Sequence, residues 1–170
     1  MERVRGLTAF GTLLPLFLCL SGCGASATLQ VEKDIPAVPT RPISFTLVAA
    51  PGLRLSEQEL NVLRVRFIDS LAWEGGLRVG PNDAFKVIGT VTQYEPGIWL
   101  LRPLTPGLFD STWVVVDEHD KEIGRAHISG SIYTSKFGDY VDGLDKVLEK
   151  VGERLSEFLT RQYDASRPTK

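Results

Sequence analysis

The sequence predicts an α/β (α+β) fold: a two-layer sandwich in the order β-α-β-β-β-α, with a four-stranded sheet covered on one face by two helices. Three observations carry that expectation. Two long segments repeat apolar residues at spacings of three and four. Several segments are rich in β-branched residues, and one alternates cleanly between apolar and polar side chains. Turn formers (Pro51-Gly52, Gly75-Gly76 and a short charged turn near residue 120) separate them.

Taken in order, residues 43–50 (ISFTLVAA) read as a buried strand stopped by Pro51-Gly52. The following helix opens on Ser56, with Glu59 three residues on, the spacing of a capping box. Leu60, Leu63, Phe67 and Leu71 then form one apolar stripe, and Gly75-Gly76 ends it. Residues 85–94 (FKVIGTVTQY) and 112–118 (TWVVVDE) are β-branched strands. Residues 122–133 place Gly124, Ala126, Ile128, Gly130 and Ile132 on one side and Arg125, His127, Ser129, Ser131 and Tyr133 on the other. That is the pattern of a half-buried antiparallel strand.

The last element, residues 139–163, is the clearest helix. Val141, Leu144, Val147, Leu148, Val151, Leu155, Phe158 and Leu159 line one face. Asp139, Asp142 and Asp145 crowd its start, where the helix dipole favours negative charge. If the first two strands are parallel, the helix between them makes a crossover, expected to be right-handed.

The amino end sets the compartment. Arg3 and Arg5 precede an apolar or small-residue run from Gly6 to Leu20, the layout of an export signal. The run is shorter than the ~20 residues of a membrane-spanning helix. Leu20-Ser21-Gly22-Cys23 then resembles a bacterial lipobox, in which the cysteine receives a diacylglycerol and becomes the new, acylated amino terminus. Two or more acyl chains anchor stably, at ~0.8 kcal/mol per buried CH₂. Gly24, rather than Asp, follows Cys23, which favours the periplasmic face of the outer membrane.

This reading divides the chain into a signal peptide (1–22), a lipidated Cys23 with a Pro-rich tether (23–42), one globular domain (43–163) and a flexible tail (164–170). Removing residues 1–22 takes two Arg and one Glu from 19 basic and 21 acidic residues, leaving 17 against 20, a net charge of −3. With no basic surplus, nucleic acid is not an expected partner. Cys19 leaves with the signal and Cys23 is consumed by lipid, so neither a disulfide nor a cysteine metal site is expected.

Chemistry is sparse. Asp117, Glu118, His119 and Asp120 are consecutive at a turn, so their side chains diverge, and a solvated turn is the better reading than a metal site. No serine sits in a G-x-S-x-G elbow, and no glycine run has phosphate-binding spacing. No cofactor and no enzymatic activity are expected. His127 is either a ligand-contacting imidazole or a plain surface histidine.

The unusual stretch is residues 94–113, YEPGIWLLRPLTPGLFDSTW, an apolar connection broken by Pro96, Pro103 and Pro106. It either folds back over an open end of the core, extends the preceding strand, or presents a contact surface for a partner or for membrane. The candidate partner-binding residues are Trp99, Leu100, Leu101, Arg102, Leu104 and Phe109. Tyr94, Trp113 and His127 are the candidates for a small-ligand or glycan site.

Residues 89–138 carry G-x-V-x-x-Y-x-x-G (Gly89, Val91, Tyr94, Gly97), L-R-x-L-x-P-G (Leu101, Arg102, Leu104, Pro106, Gly107) and G-x-I-x-x-x-x-F-G (Gly130, Ile132, Phe137, Gly138). In these the chain resembles a family of small bacterial lipoproteins, domain of unknown function 4410, and the likeness extends from about Ile43 through the closing helix. The resemblance implies the compartment and the fold and transfers no catalytic residue or cofactor. The function expected is a non-enzymatic envelope lipoprotein with an envelope protein partner. The alternative is a ligand- or glycan-binding lipoprotein.

Overall fold

A computed structural model describes residues 24–36, 42–81, 85–95, 107–133 and 140–161. The elements are β1 (Gly24–Lys33), β2 (Ser44–Ala49), α1 (Glu57–Glu74), β3 (Phe85–Glu95), β4 (Gly107–Asp117), β5 (Glu122–Tyr133) and α2 (Tyr140–Thr160). The α+β sandwich is as expected, but the sheet has five strands rather than four, in the order β1-β5-β4-β3-β2.

The extra strand comes from the segment expected to be a tether. In β1, Ala25, Ala27, Leu29 and Val31 pack toward the core while Ser26, Thr28, Gln30 and Glu32 face out. This is a period-2 pattern, with alanine at the first two inward positions. β1 pairs antiparallel with β5 from Gly24↔Tyr133 onward. The prolines of the segment, Pro36, Pro39 and Pro42, all follow the strand, where they cost it no ladder bond. β4 likewise starts five residues earlier than the β-branched run, at Gly107, so 11 residues separate it from β3.

β2 and β3 run parallel with α1 between them, and all other neighbouring pairs are antiparallel. The capping box forms as expected. Ser56 Oγ accepts from the Glu59 N–H at 3.2 Å, and the Glu59 carboxylate accepts from the Ser56 N–H at 2.8 Å. The Ser56 hydroxyl also donates to the Glu59 carboxylate at 2.6 Å, and that bond first, then the one from the Ser56 N–H, holds the Glu59 carboxyl below its ordinary value of 4.5.

Both helices lie on one face of the sheet and run in the same direction. Arg66 Nη2 meets Asp145 Oδ2 at 3.2 Å, and further along, Gly152 lies against Ser70 so closely that a Cβ there would come within 2.5 Å of Ser70 Cβ. Leu60, Leu63, Phe67 and Leu71 of α1 and Val147, Leu148, Val151, Leu155, Phe158 and Leu159 of α2 are buried against the sheet. Val141 and Leu144, also predicted for that face, lie where side chains are not described.

An aromatic cluster fills the middle of the core. Trp113 is fully buried, edge-on to Phe67 with ring centroids 5.4 Å apart and tilted to Phe45 at 5.6 Å. Its Nε1–H donates to Ser111 Oγ at 2.9 Å, and Ser111 Oγ in turn donates to the Ile128 carbonyl at 3.2 Å. The indole lies across Gly89 of β3, which has no side chain to obstruct it: a Cβ there would sit 2.3 Å from Trp113 Cζ3.

Candidate functional site

The second face of the sheet carries no helix among the described residues. Ser26, Thr28 and Gln30 of β1, Arg125, His127, Ser129 and Ser131 of β5, and Asp110 and Thr112 of β4 point that way, because each alternates with a buried neighbour. His127 is placed here as predicted, with its side chain about one-third exposed and Nε2 3.8 Å from Asp110 Oδ1. Arg125 is held above its ordinary range, first by its hydrogen bond to Glu122, with Glu122 and Glu32 adding charge attraction. Over β1 and β5 the face is polar, whereas Val114, Ile88 and the 41% exposed Val48 make it apolar across β4, β3 and β2.

The residues predicted as a ligand site are not brought together. Trp113 is in the core, on the opposite side of the sheet from His127, because Phe109, Ser111, Trp113 and Val115 all alternate inward along β4. Tyr94 sits opposite Phe109 and packs half-buried on the same core. Phe109 itself is fully buried with its ring 5.6 Å from that of Phe67, so it works in packing and offers no surface to a partner. Cys23, Trp99, Leu100, Leu101, Arg102 and Leu104 lie outside the described residues. At the 117–121 turn, the Asp117 carboxylate accepts from the N–H groups of His119 and Lys121, at 2.9 and 3.0 Å. Asp120 pairs with Lys86 at 2.8 Å.

A surface with no counterpart among the predicted site residues stands out on α1. Val62 (54% exposed), Val65 (48%) and Trp73 (88%) all face solvent. At 100° per residue they fall within about 80° of one another, opposite the buried Leu60–Leu63–Phe67–Leu71 stripe, with the exposed polar residues Gln58 and Asp69 set among them. The outer side of α1 therefore carries three exposed apolar side chains among polar ones, uncovered by this chain's described residues. α2, by contrast, divides cleanly into an apolar and a polar side.

At the carboxyl end of α1 Trp73 borders a shallow groove of about 510 Å³, lined also by Asp69, Ser70, Ala72, Glu74 and Glu149. Three of the six lining residues are carboxylates. Lys150 is raised above its ordinary range, mainly by its hydrogen bond to Glu153, with Glu149 and Glu74 contributing through charge. The groove thus pairs an exposed indole face with a local excess of negative charge. That combination suits a ligand carrying a cation or many hydroxyls.

Comparison with known proteins places the fold. No family model and no curated protein matches the sequence. Among solved structures, the chain is similar to a single-substitution variant of PelC from Paraburkholderia phytofirmans, described as a dodecamer, at 14% identity and a TM-score of 0.50. The match covers 80% of this chain and 99% of that one. It is also similar to a DUF330 protein from Xanthomonas campestris, at 13% identity and a TM-score of 0.52, covering 77% and 90% of the two chains. Identities this low show the shared fold alone. The resemblance to domain of unknown function 4410 stays a resemblance, since no family model stands behind it.

Proposed function

We propose that this chain is an envelope lipoprotein anchored through Cys23 at the periplasmic face of the outer membrane, where it works as a non-enzymatic interaction or assembly module. The export signal and lipobox support the anchor. No helix among the described residues is long and apolar enough to cross a membrane. The observation that carries the interaction reading is the exposed indole of Trp73, 88% exposed, on the same outer side of α1 as the exposed Val62 and Val65. Removing these side chains from water is favourable at about 25 cal/mol per Å² of apolar area, and this chain's described residues leave them uncovered. Trp is also a residue type enriched where binding energy concentrates. PelC, of the same fold, is a dodecamer, which favours assembly as one form the contact takes.

The test is site-directed photocrosslinking from position 65 in intact envelopes, with light scattering of the purified protein. A discrete crosslinked adduct, lost in Trp73→Ala, is the expected result. A monomer with no adduct from position 65 overturns the reading.

A second reading, small-ligand or glycan binding, is favoured by the groove beside Trp73. Saturable quenching of Trp73 fluorescence by a cationic or polyhydroxylated ligand, weakened in Glu149→Gln, would select it over the first.

A further inference from the structure

Resting on the lipidation of Cys23, we propose that the domain stands directly on the bilayer, with the end of the sheet where β1 begins against the lipid surface and the β4–β5 turn as its distal pole. The reason is the absence of slack. Cys23 is bonded to Gly24, and Gly24 is already the first residue of β1, in register with Tyr133 of β5. Consecutive Cα atoms are ~3.8 Å apart, so the acylated sulfur lies within one residue of the sheet. β1 continues in that ladder to Lys33↔Arg125, which prevents it from paying out as a tether.

The register identifies what shares this end. Gly107 of β4 pairs with Ile132 of β5, and Glu95 of β3 pairs with Leu108 of β4. The apolar connection of residues 96–106 leaves from Glu95 and returns at Gly107, so both of its attachment points lie on the lipid-facing side. Both helices start near this end, α1 after β2, whose Ala49 pairs with Val91, and α2 after Tyr133. They run away from it: Phe158 of α2 reaches the side of Gly124, near the start of β5. With 12 residues in β5 at ~3.4 Å per step, the 117–121 turn stands roughly 37 Å from the anchored end. Trp73, 16 residues into α1 at 1.5 Å per residue, lies about 24 Å further from the lipid than the start of that helix. The groove therefore opens toward the aqueous side, within reach of a soluble ligand or of a neighbouring protein.

The test uses the full lipidated protein in vesicles of phosphatidylethanolamine and phosphatidylglycerol doped with a headgroup-spin-labelled lipid. With the Cys23 thiol blocked by lipid, Ser26→Cys, Glu95→Cys and His119→Cys each give one site for a fluorophore, and all three positions are exposed. Strong quenching at 26 and 95 with at least a threefold weaker effect at 119 is expected, with unchanged melting temperatures. Co-flotation with vesicles is measured on the same samples. Protein that floats but is quenched equally at 119 and 26, or at neither, overturns the orientation alone. Protein that does not float overturns the anchor and the orientation with it.

Discussion

Gly89→Ala probes how the aromatic core is closed. The added Cβ would lie 2.3 and 2.6 Å from Trp113 Cζ3 and Cη2 and 2.8 Å from Leu47 Cδ1, against an ordinary carbon contact of ~3.5–4.0 Å. The indole must therefore retreat by more than ~1 Å. It has little room: it is fully buried, boxed by Phe45 and Phe67, and pinned through Nε1 to Ser111. Overpacking of this kind costs about 1–3 kcal/mol, offset by ~0.4–1 kcal/mol because alanine has less freedom than glycine in the unfolded chain. We expect a net loss of about 1–2 kcal/mol, a fall in Tm of roughly 4–8 °C for a domain of this size. The assay is thermal unfolding followed by far-ultraviolet circular dichroism. Trp113→Phe removes the offending ring carbons, so the double variant should recover about 1 kcal/mol relative to the sum of the singles. A Gly89→Ala protein melting within ~1 °C of the parent, or strict additivity in the double variant, would refute the packing described for this site.

Ser111→Ala strands the buried Trp113 N–H and should cost about 1–3 kcal/mol by urea unfolding. Ser156→Ala should be neutral or stabilising in the same assay, since the buried Ser156 hydroxyl has no hydrogen-bond partner among the described residues. Ser56→Ala removes the α1 cap and should cost ~1 kcal/mol near neutral pH. The Glu59 carboxyl is depressed by its bonds to Ser56, so its contribution is present above about pH 4.5 and is lost as pH falls through the lower folded value. Urea midpoints should therefore fall below pH 4.5, less steeply in Ser56→Ala, and equal slopes would contradict this. Cys23→Ser should leave an unlipidated precursor, read by metabolic labelling with a fatty acid, and unaltered labelling would remove the anchor.

Local pattern makes most of the layers legible. The capping box at Ser56 and the i, i+3, i+4 stripes of both helices are short-range properties, and they appear in the structure within one to three residues of their predicted bounds. β1 is hidden because two of its four inward residues are alanines, and because its stability as a strand comes from pairing with β5, about a hundred residues away in sequence. The first five residues of β4 are hidden in the same way, set among Pro106, Gly107 and polar residues. Trp73 carries a readable signal: it lies two residues past Leu71, on the far side of the helix from the buried stripe. Residue type alone points Trp113 and Phe109 toward surface roles, whereas strand parity sends both inward.

The export-signal pattern, the acylation motif, the near-neutral charge, the helices and most strand positions are each written in neighbouring residues, so the unfolded string of letters is enough to read them. Folding adds three things that no short window contains: that the expected tether is an edge strand, which aromatics are core and which face water, and which end of the sheet Gly24 occupies. Those depend on register between strands distant in the chain, and register follows from burying one face of every strand at once.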